Sequence, residues 1–341
     1  MLDAVEHLVG LQAQIPLNPY TALWSRLDGF RPAELSELLE ARRVVRLVLM
    51  RATLHLVSAA DCLLLRPLMQ PVLDGELSRH RDHAPVLRRV DLEPVLTFAQ
   101  ALLAKRPHTG PELRTALAER FPGAEASALA YACRNQLALV QVPPRGVWGR
   151  TAQVTVTTAE AWLGRPLAAS PSLDDLVLRY LGAFGPATVA DVSAWSRLAG
   201  LREVLERLRP ALRTFEDDRG RELFDLPEAP RPDPDTPVPP RFLPEYDNLL
   251  LSHADRSRFQ HERAKLSAVT GPVRGTVLHD GLVCGIWRIE QEREGPAVLV
   301  IELVVRLPKR ALATVAAEGR RYVRFAASDA DDHDVRFLHA A

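Results

Sequence analysis

The chain has 341 residues, of which 47% are hydrophobic and 25% charged, and its formal net charge is zero. This composition is typical of a globular protein of about two to four domains and argues against binding of nucleic acid through overall basicity. Three isolated cysteines without a CxxC pattern argue against a zinc site or a disulfide framework. The acidic N-terminus and the lack of a long apolar run predict a cytoplasmic protein with no membrane partner.

Positive charge is unevenly distributed along this neutral chain. The stretch between residues 40 and 61 contains no acid but four arginines, Arg42, Arg43, Arg46 and Arg51. Between residues 125 and 160 the only charges are those of Arg134, Arg145 and Arg150. Local basic surfaces are therefore expected.

The first half of the chain predicts two domains. Residues 1–85 show a first helix, a second helix in "RPAELSELLEARR", a ribbon of strands in "VVRLVLMRATLHLV" and a helix over 60–77. Residues 86–168 show three helical patterns and then two strands around the loop "PPRGVWGR". Three helices followed by a hairpin are typical of a winged helix, and the first domain resembles a degenerate copy.

The second half predicts a further winged helix and a different C-terminal domain. Residues 169–226 contain three helical patterns and a hairpin with the turn "DDRG". Seven prolines within residues 227–241 predict an extended linker. Residues 242–341 predict a β-rich domain with three strands over 271–307, a helix over 308–319 and a last strand in "YVRFAAS". The predicted fold class is therefore α+β, with tandem winged helices before a β-rich domain.

Two glutamines, Gln12 and Gln14, lie where the first predicted helix ends. Gln12 continues the apolar stripe of that helix, whereas Gln14 would leave it. Pro16 directs Ile15 out of the helical region, so the pair is expected to straddle the helix C-terminus. The two amides can then either cap helix carbonyls or converge on one small polar object such as a water. The spacing alone favours capping.

Other polar residues predict a cleft or a DNA contact. Arg51, Thr53 and His55 alternate along a predicted strand and would share one face, which either lines a cleft or is solvated. The loop "PPRGVWGR" contains Arg145, an exposed-looking Trp148 and Arg150 without an acid. Winged-helix loops of this kind commonly lie on the DNA backbone or in a groove.

The segment "FLPEYDNLLLSHADRSRF" concentrates polar residues between 242 and 259. His253, Asp255 and His261 match no zinc or iron spacing, so a structural turn with Asp247 and Asn248 bonding the backbone is favoured. The sequence contains no GxGxxG, P-loop, GxSxG or HExxH motif and no convincing pair of catalytic carboxylates. Most common enzyme classes are thereby excluded.

Five segments taken together resemble the AlkZ-like winged-helix DNA glycosylases over nearly the whole chain. They are "LVGLQAQIPLNPYTALWSRL", "LMRATLHLVSAADC", "VPPRGVWGRT", "RYLGAFGPATVADVSAW" and "FLPEYDNLLLSHADRSR". Members of this family have a catalytic Gln-x-Gln or Gln-x-Asp motif, and Gln12 and Gln14 match the first form. The resemblance implies a longer segment before Gln12 than the eleven residues present, so we expect a shortened first helix or an upstream start.

The resemblance implies excision of N7-alkylated purines, including bulky adducts and interstrand crosslinks, for base-excision repair or self-resistance to a genotoxic product. Such a base already carries positive charge and leaves without a general acid. The amide oxygens of Gln12 and Gln14 would accept from the attacking water and face the developing sugar cation.

The sequence therefore predicts a monomeric, monofunctional DNA glycosylase that acts on double-stranded DNA and needs no cofactor or metal. Gln12 and Gln14 are the expected catalytic residues. The expected cleft and DNA-binding residues are Arg51, Thr53, His55, Arg145, Trp148, Arg150, Asn248, His253 and Arg256. The alternative is a non-catalytic winged-helix DNA-binding protein, either a transcriptional regulator or a lesion sensor, which would have no use for the glutamine pair.

Overall fold

A computed structural model describes residues 1–259, 274–291 and 295–339. The helices in these ranges, in chain order, are α1 (Leu2–His7), α2 (Asn18–Trp24), α3 (Pro32–Glu40), α4 (Ala59–Leu68), α5 (Gln70–Arg79), α6 (Ala84–Leu87), α7 (Leu92–Lys105), α8 (Gly110–Arg120), α9 (Ala126–Gln136), α10 (Ala159–Leu163), α11 (Leu173–Phe184), α12 (Val189–Ser196), α13 (Leu201–Leu208), α14 (Asn248–Leu251) and α15 (Lys309–Ala326).

The strands in the same ranges are β1 (Leu11–Gln12), β2 (Val44–Val48), β3 (Leu54–Ser58), β4 (His108–Thr109), β5 (Leu139–Gln141), β6 (Thr155–Thr158), β7 (Arg213–Glu216), β8 (Glu222–Asp225), β9 (Arg241–Leu243), β10 (Gly275–His279), β11 (Leu282–Gln291), β12 (Ala297–Leu303) and β13 (His333–His339). The chain forms two compact units: unit 1 comprises residues 1–17 and 31–229, and unit 2 comprises residues 18–30 and 230–341. The predicted α+β class is confirmed.

Unit 1 is organised around a six-stranded sheet with the order β1-β3-β2-β5-β6-β4. The predicted ribbon is confirmed as β2 and β3, and β2 also pairs with β5, so strands from residues 1–85 and 86–168 share this sheet. The single helix expected over 60–77 is two helices, α4 and α5, because the chain breaks at Met69 between two prolines.

The three helices predicted for residues 86–168 are present as α7, α8 and α9. Helix α8 begins with a capping box in which Thr109 and Glu112 bond each other's backbone amides, as its sequence predicts. The helices share a core of buried residues, Val95, Ala99, Leu103, Leu113, Leu117, Leu129 and Cys133. Apolar periodicity was sufficient to predict these three helices because each of them buries its own apolar stripe.

Helices α11, α12 and α13 and the hairpin β7–β8 follow in unit 1. The "DDRG" turn is confirmed, with the Gly220 amide donating to the Asp217 carbonyl at 2.9 Å. Tyr180, Phe184 and Trp195 pack their rings together between α11 and α12. The three helices and the hairpin expected for residues 169–226 are therefore present, and the tandem winged-helix arrangement stays a prediction.

Residues 227–240 contain no helix or strand, as the proline content predicts. Unit 2 then forms a five-stranded sheet with the order β13-β12-β11-β10-β9, and α15 packs on it. Tyr322 on α15 stacks on Phe242 with ring centroids 5.3 Å apart. The predictions at 271–273 and 292–294 fall outside the described residues.

The last strand predicted in "YVRFAAS" is wrong. Residues 322–326 belong to helix α15, and the last strand is β13. Tyr322 and Val323 are buried together with Ala311, Val315 and Gly319, which is helical spacing. The short segment alternates like a strand, and only its continuity with the preceding turns identifies it as helix.

Candidate active site

The segment that leads into the glutamines is a turn and a strand rather than a helix end. Helix α1 ends at His7, and Val9 and Gly10 follow with φ of 52° and 91°. A Cβ at Gly10 would lie 2.5 Å from the Val57 side chain, so glycine is required for this close approach. The expectation that the glutamines straddle a helix C-terminus is therefore wrong, because the chain has already turned into β1 along β3.

The two glutamines have different environments. Gln12 is 7% exposed and lies opposite His55 in the antiparallel register of β1 and β3. Gln14 is exposed, and its Oε1 accepts a long hydrogen bond of 3.4 Å from the Leu54 amide. Between them, the Ala13 amide donates to the Leu54 carbonyl at 2.8 Å. The segment is thus held to the start of β3 through its backbone.

Arg51 connects Gln12 to two other parts of unit 1. Its Nη2 donates to Gln12 Oε1 at 2.7 Å and lies 3.4 Å from His55 Nε2, while its Nη1 donates to the Trp195 carbonyl at 2.5 Å. A guanidinium can only donate, so the atom of the Gln12 amide that faces Arg51 must be the oxygen. The orientation of this amide is therefore settled by chemistry.

His55 is a neutral acceptor for Arg51. It is 1% exposed, and its Nδ1 lies 3.0 Å from the Thr53 carbonyl, to which it donates. Nε2 is then the unprotonated nitrogen that faces Arg51. Burial, followed by the charge of Arg51, lowers the pKa of His55 from 6.5 to about 3, against the opposing effect of the Thr53 hydrogen bond.

Arg51 does not lie on a strand, as its alternation with Thr53 and His55 predicted. It lies in a 3₁₀ turn over Met50–Ala52 between β2 and β3, with a left-handed φ of 56°. The Thr53 hydroxyl donates to the Met50 carbonyl at 3.1 Å and stabilises this turn. The structure therefore brings together Arg51, His55 and Gln12. The Thr53 side chain stabilises the turn instead of joining this group.

Arg46 is a functional candidate that the sequence reasoning missed. It is 1% exposed on the central strand β2, and its Nη2 donates to the Ala13 carbonyl at 2.8 Å, between the two glutamines. Its side chain packs closely on Gly146 of the loop between β5 and β6, where a Cβ would lie 3.0 Å from Arg46 Cδ. A single arginine within an otherwise apolar strand was the available signal.

The loop between β5 and β6 contains Arg145 and Trp148. Arg145 Nη1 donates to the Ala152 carbonyl at 2.8 Å, which closes the loop on itself. Trp148 is partly buried rather than exposed, and its backbone amide donates to the Ser36 hydroxyl of α3 at 3.2 Å. The loop thus rests against α3.

Arg150 lies at the exposed end of the same loop. Its Nη1 is 3.2 Å from Glu40 Oε1, and the two side chains are 61% and 46% exposed. The loop carries no acid in its own sequence, but α3 supplies one. Such an exposed pair is weak and can exchange readily for another anion.

The remaining predicted residues, Asn248, His253 and Arg256, belong to unit 2. Asp247 caps α14 by accepting from the Leu249 amide at 2.9 Å and forms an ion pair with Arg26 at 2.6 Å. Asn248 is buried beside this cap. The expected structural turn is confirmed for Asp247.

His253 is buried in a local cluster of unit 2. Its Nδ1 lies 2.8 Å from the Ser252 hydroxyl, and its Nε2 accepts from Arg258 at 2.9 Å. Arg256 is partly exposed, and its carbonyl accepts from the Phe259 amide at 3.1 Å. His261 lies outside the described residues.

Titratable groups elsewhere supply little chemistry. Cys62, Cys133 and Cys284 are buried free thiols, and burial raises the pKa of each to about 12. Across the described ranges, no group of three histidine, cysteine or acidic side chains is placed to hold a metal ion. None of the helices in these ranges is both long and apolar enough to cross a membrane.

Comparison with known protein families identifies the class of protein to which this α+β chain belongs. A family model described as "DNA glycosylase AlkZ-like" matches residues 5–325. The chain belongs to the AlkZ-like DNA glycosylase family, which implies a hydrolase that acts on DNA.

The fold is also similar to a solved structure, the Streptomyces sahachiroi DNA glycosylase AlkZ. The TM-score is 0.75 at 23% sequence identity, and the match covers 99% of this chain and 93% of that chain. A comparison with curated protein sequences gave no significant match. At this level of identity the structural likeness supports the fold.

Proposed function

We propose that the protein is a monofunctional DNA glycosylase that hydrolyses the N-glycosidic bond of N7-alkylated purines in double-stranded DNA. The observation that carries this proposal is the Gln12 amide, held by Arg51 in a fixed orientation beside the exposed Gln14. A protein that only binds DNA has no need for an amide positioned in this way.

The chemistry of an N7-alkylated purine suits a site built from amides. Its base carries positive charge and departs as a neutral leaving group, so no acid has to protonate it. The enzyme has to position a water and stabilise an oxocarbenium-like transition state with oriented dipoles. The two amides can position the water, and the carbonyl dipole of Gln14 can face the developing cation. Neither group changes protonation state, which implies a shallow pH profile near neutrality.

His55 is excluded as the general base by its environment. Its Nδ1 is bound to the Thr53 carbonyl, its Nε2 faces Arg51, and its pKa is about 3. A base this weak accepts almost no proton at neutral pH. The role of His55 is to hold Arg51, and the glutamines remain the groups that meet the water.

DNA contacts are proposed for the loop between β5 and β6 and for the α14 segment. Arg150 can exchange its exposed pair with Glu40 for a backbone phosphate, since such pairs contribute little stability. Arg145 and Trp148 would support the same surface. In unit 2 the partly exposed Arg256 would contact DNA, and the buried Asn248 and His253 would support its segment. Because Gln14 is exposed, bulky adducts and crosslinks, as in repair or self-resistance, are further proposed substrates.

The proposal is tested by release of N7-methylguanine from duplex DNA. We expect release well above the spontaneous rate, leaving an abasic site that alkali cleaves, and near-complete loss in the Gln12→Ala, Gln14→Ala variant. Gln100→Ala, which removes an exposed glutamine of α7, is the matched control and should retain the native rate.

Two results would contradict the proposal. Native release by the double variant would refute the catalytic assignment of the glutamines. Failure of the native protein to release either N7-methylguanine or a bulkier N7 adduct, with DNA binding intact, would favour a regulator or lesion sensor.

A further inference from the structure

We propose that Arg51 is a positioning residue that fixes the Gln12 amide, so that Gln12 meets the reacting groups through its nitrogen and Gln14 provides the carbonyl that accepts from the water. This inference rests on the proposed glycosylase function and assigns different roles to the two glutamines. The steps that carry it are the anchoring of Arg51, its backbone conformation and the partners of each amide.

The Arg51 guanidinium is held from three separate segments of unit 1. Gln12 on β1, His55 on β3 and the Trp195 carbonyl on α12 lie 2.7, 3.4 and 2.5 Å from its Nη atoms. A planar fork with fixed donor directions loses little freedom per bond and orients each acceptor closely. His55, neutral and directly opposite Gln12 in the register, prevents Nη2 from swinging away.

The backbone at Arg51 is one that glycine would adopt more easily. Its φ is 56°, and the next residue, Ala52, has a φ of 58°. Such conformations cost free energy for a residue with a Cβ and cluster at functional sites. From this turn the Arg51 side chain reaches Gln12.

Arg51 fixes which atom of the Gln12 amide faces inward and which faces outward. Its Oε1 accepts from a charged donor, which draws electron density from the amide and makes Nε2 a stronger donor. Within the described residues, Gln12 Nε2 makes no hydrogen bond and is not fully buried. It therefore reaches the surface. Gln12 therefore presents N–H groups outward.

Gln14 has the complementary arrangement. Among the residues that the structure describes, its Oε1 is held by one long contact, 3.4 Å from the Leu54 amide, and the side chain is exposed. A carbonyl oxygen with such a weak partner can accept a hydrogen bond from water. The two amides thus offer complementary groups, a donor from Gln12 and an acceptor from Gln14.

The test is a double-mutant cycle measured by single-turnover release of N7-methylguanine at saturating protein, together with the dissociation constant for the same duplex. Arg51→Gly removes the side chain in a backbone conformation that glycine accepts. Ala52→Gly is the matched control, since it adds a glycine in the same turn and leaves the guanidinium in place. Arg51→Lys, which retains charge without the fork, is a second variant should Arg51→Gly unfold.

We expect Arg51→Gly to lower the rate constant by about ten- to a hundredfold, as misplacement of a reacting group does, with the dissociation constant changed by about threefold or less. Arg51→Lys should lose about tenfold, because one ammonium cannot hold three acceptors. Ala52→Gly should stay within about twofold of the native rate. In the Gln12→Ala background, Arg51→Gly should have no further effect, since the residue acts through Gln12.

The division of roles is tested by Gln12→Glu and Gln14→Glu. Gln12→Glu retains acceptors for Arg51 but loses the N–H donors, and it should be as slow as Gln12→Ala. Gln14→Glu retains an acceptor for water and should keep a rate within about tenfold of the native protein. Native activity of Gln12→Glu would overturn the donor role.

The failures can be told apart. Additive losses for Arg51→Gly and Gln12→Ala, or a raised dissociation constant with an unchanged rate, would overturn the positioning role and leave the proposed function standing. Native rates for both Gln12→Ala and Gln14→Ala would refute the catalytic assignment of the glutamines. Failure of the native protein to release either N7-methylguanine or a bulkier N7 adduct would refute the proposed function itself.

Discussion

Two histidine–arginine contacts, one in each unit, use the same chemistry for different ends. In unit 1, His55 Nε2 accepts a hydrogen bond from Arg51, and His55 Nδ1 donates to the Thr53 carbonyl. In unit 2, His253 Nε2 accepts a hydrogen bond from Arg258, and His253 Nδ1 is hydrogen-bonded to the Ser252 hydroxyl. Both imidazoles are buried acceptors of a guanidinium.

The difference lies in what else is connected. Arg51 reaches across 39 residues of sequence to Gln12 and across 144 to Trp195, whereas Arg258 contacts His253 five residues away. The unit 2 segment is fixed instead by the buried Asp247, which pairs with Arg26. We interpret the long-range arginine that holds the uncharged Gln12 amide as part of the proposed active site. The local arginine beside a buried ion pair is part of a stable turn.

The largest expected effect tests the structural side of this comparison. Asp247→Ala removes a fully buried carboxylate that accepts from Arg26 and caps α14. We expect a loss of about 3 kcal/mol in the free energy of unfolding, because the partly buried Arg26 loses its partner. Urea denaturation measures it.

Glu290→Ala, at an exposed ion pair of unit 2, is the control and should change stability by about 0.5 kcal/mol. Base release per folded molecule, measured at saturating DNA so that a change in binding does not enter, should be unchanged in both variants. If Asp247→Ala kept its stability but lost activity, the Asp247 pair would be functional rather than structural.

An intermediate effect tests the neutrality of His55. The folded-state pKa of about 3 lies below the unfolded value of 6.5, so between these values the unfolded chain binds the extra proton. Stability should therefore fall as pH falls from 6.5 toward 3, with His55 contributing at most about 1.4 kcal/mol per pH unit.

His55→Gln removes this group, and its free energy of unfolding should depend less steeply on pH than that of the native protein. The difference between the two slopes, measured by denaturation at several pH values, isolates the contribution of His55. Parallel slopes would show that His55 is protonated in the folded protein.

The smallest effect on stability is expected at Arg150. Its exposed pair with Glu40 should contribute about 0.5 kcal/mol or less. Arg150→Ala should nevertheless weaken duplex binding and reduce the dependence of log Kd on log salt by about one unit.

Arg89→Ala, at an exposed arginine of unit 1 outside this loop, is the control and should leave the salt dependence unchanged. An equal response of both variants would show general charge screening rather than a phosphate contact at Arg150.

Elements whose signals are local were predictable. Helices α7, α8 and α9 follow from apolar periodicity and caps, and β2 and β3 from their branched residues. Strand β1 was not predictable, because it has two residues and exists only through pairing with β3. The same applies to the turn at Arg51, whose left-handed conformation contradicts the alternation in its sequence.

The family, the α+β class and the presence of the glutamine pair could be read from residue identities and short-range patterns alone. Tertiary structure decided that Gln12 is buried and held while Gln14 is exposed, that Arg46 supports the backbone between them, and that Glu40 reaches Arg150. Those relations join residues 33 to 110 positions apart, and only the pairing of strands and packing of helices brings them within hydrogen-bond distance.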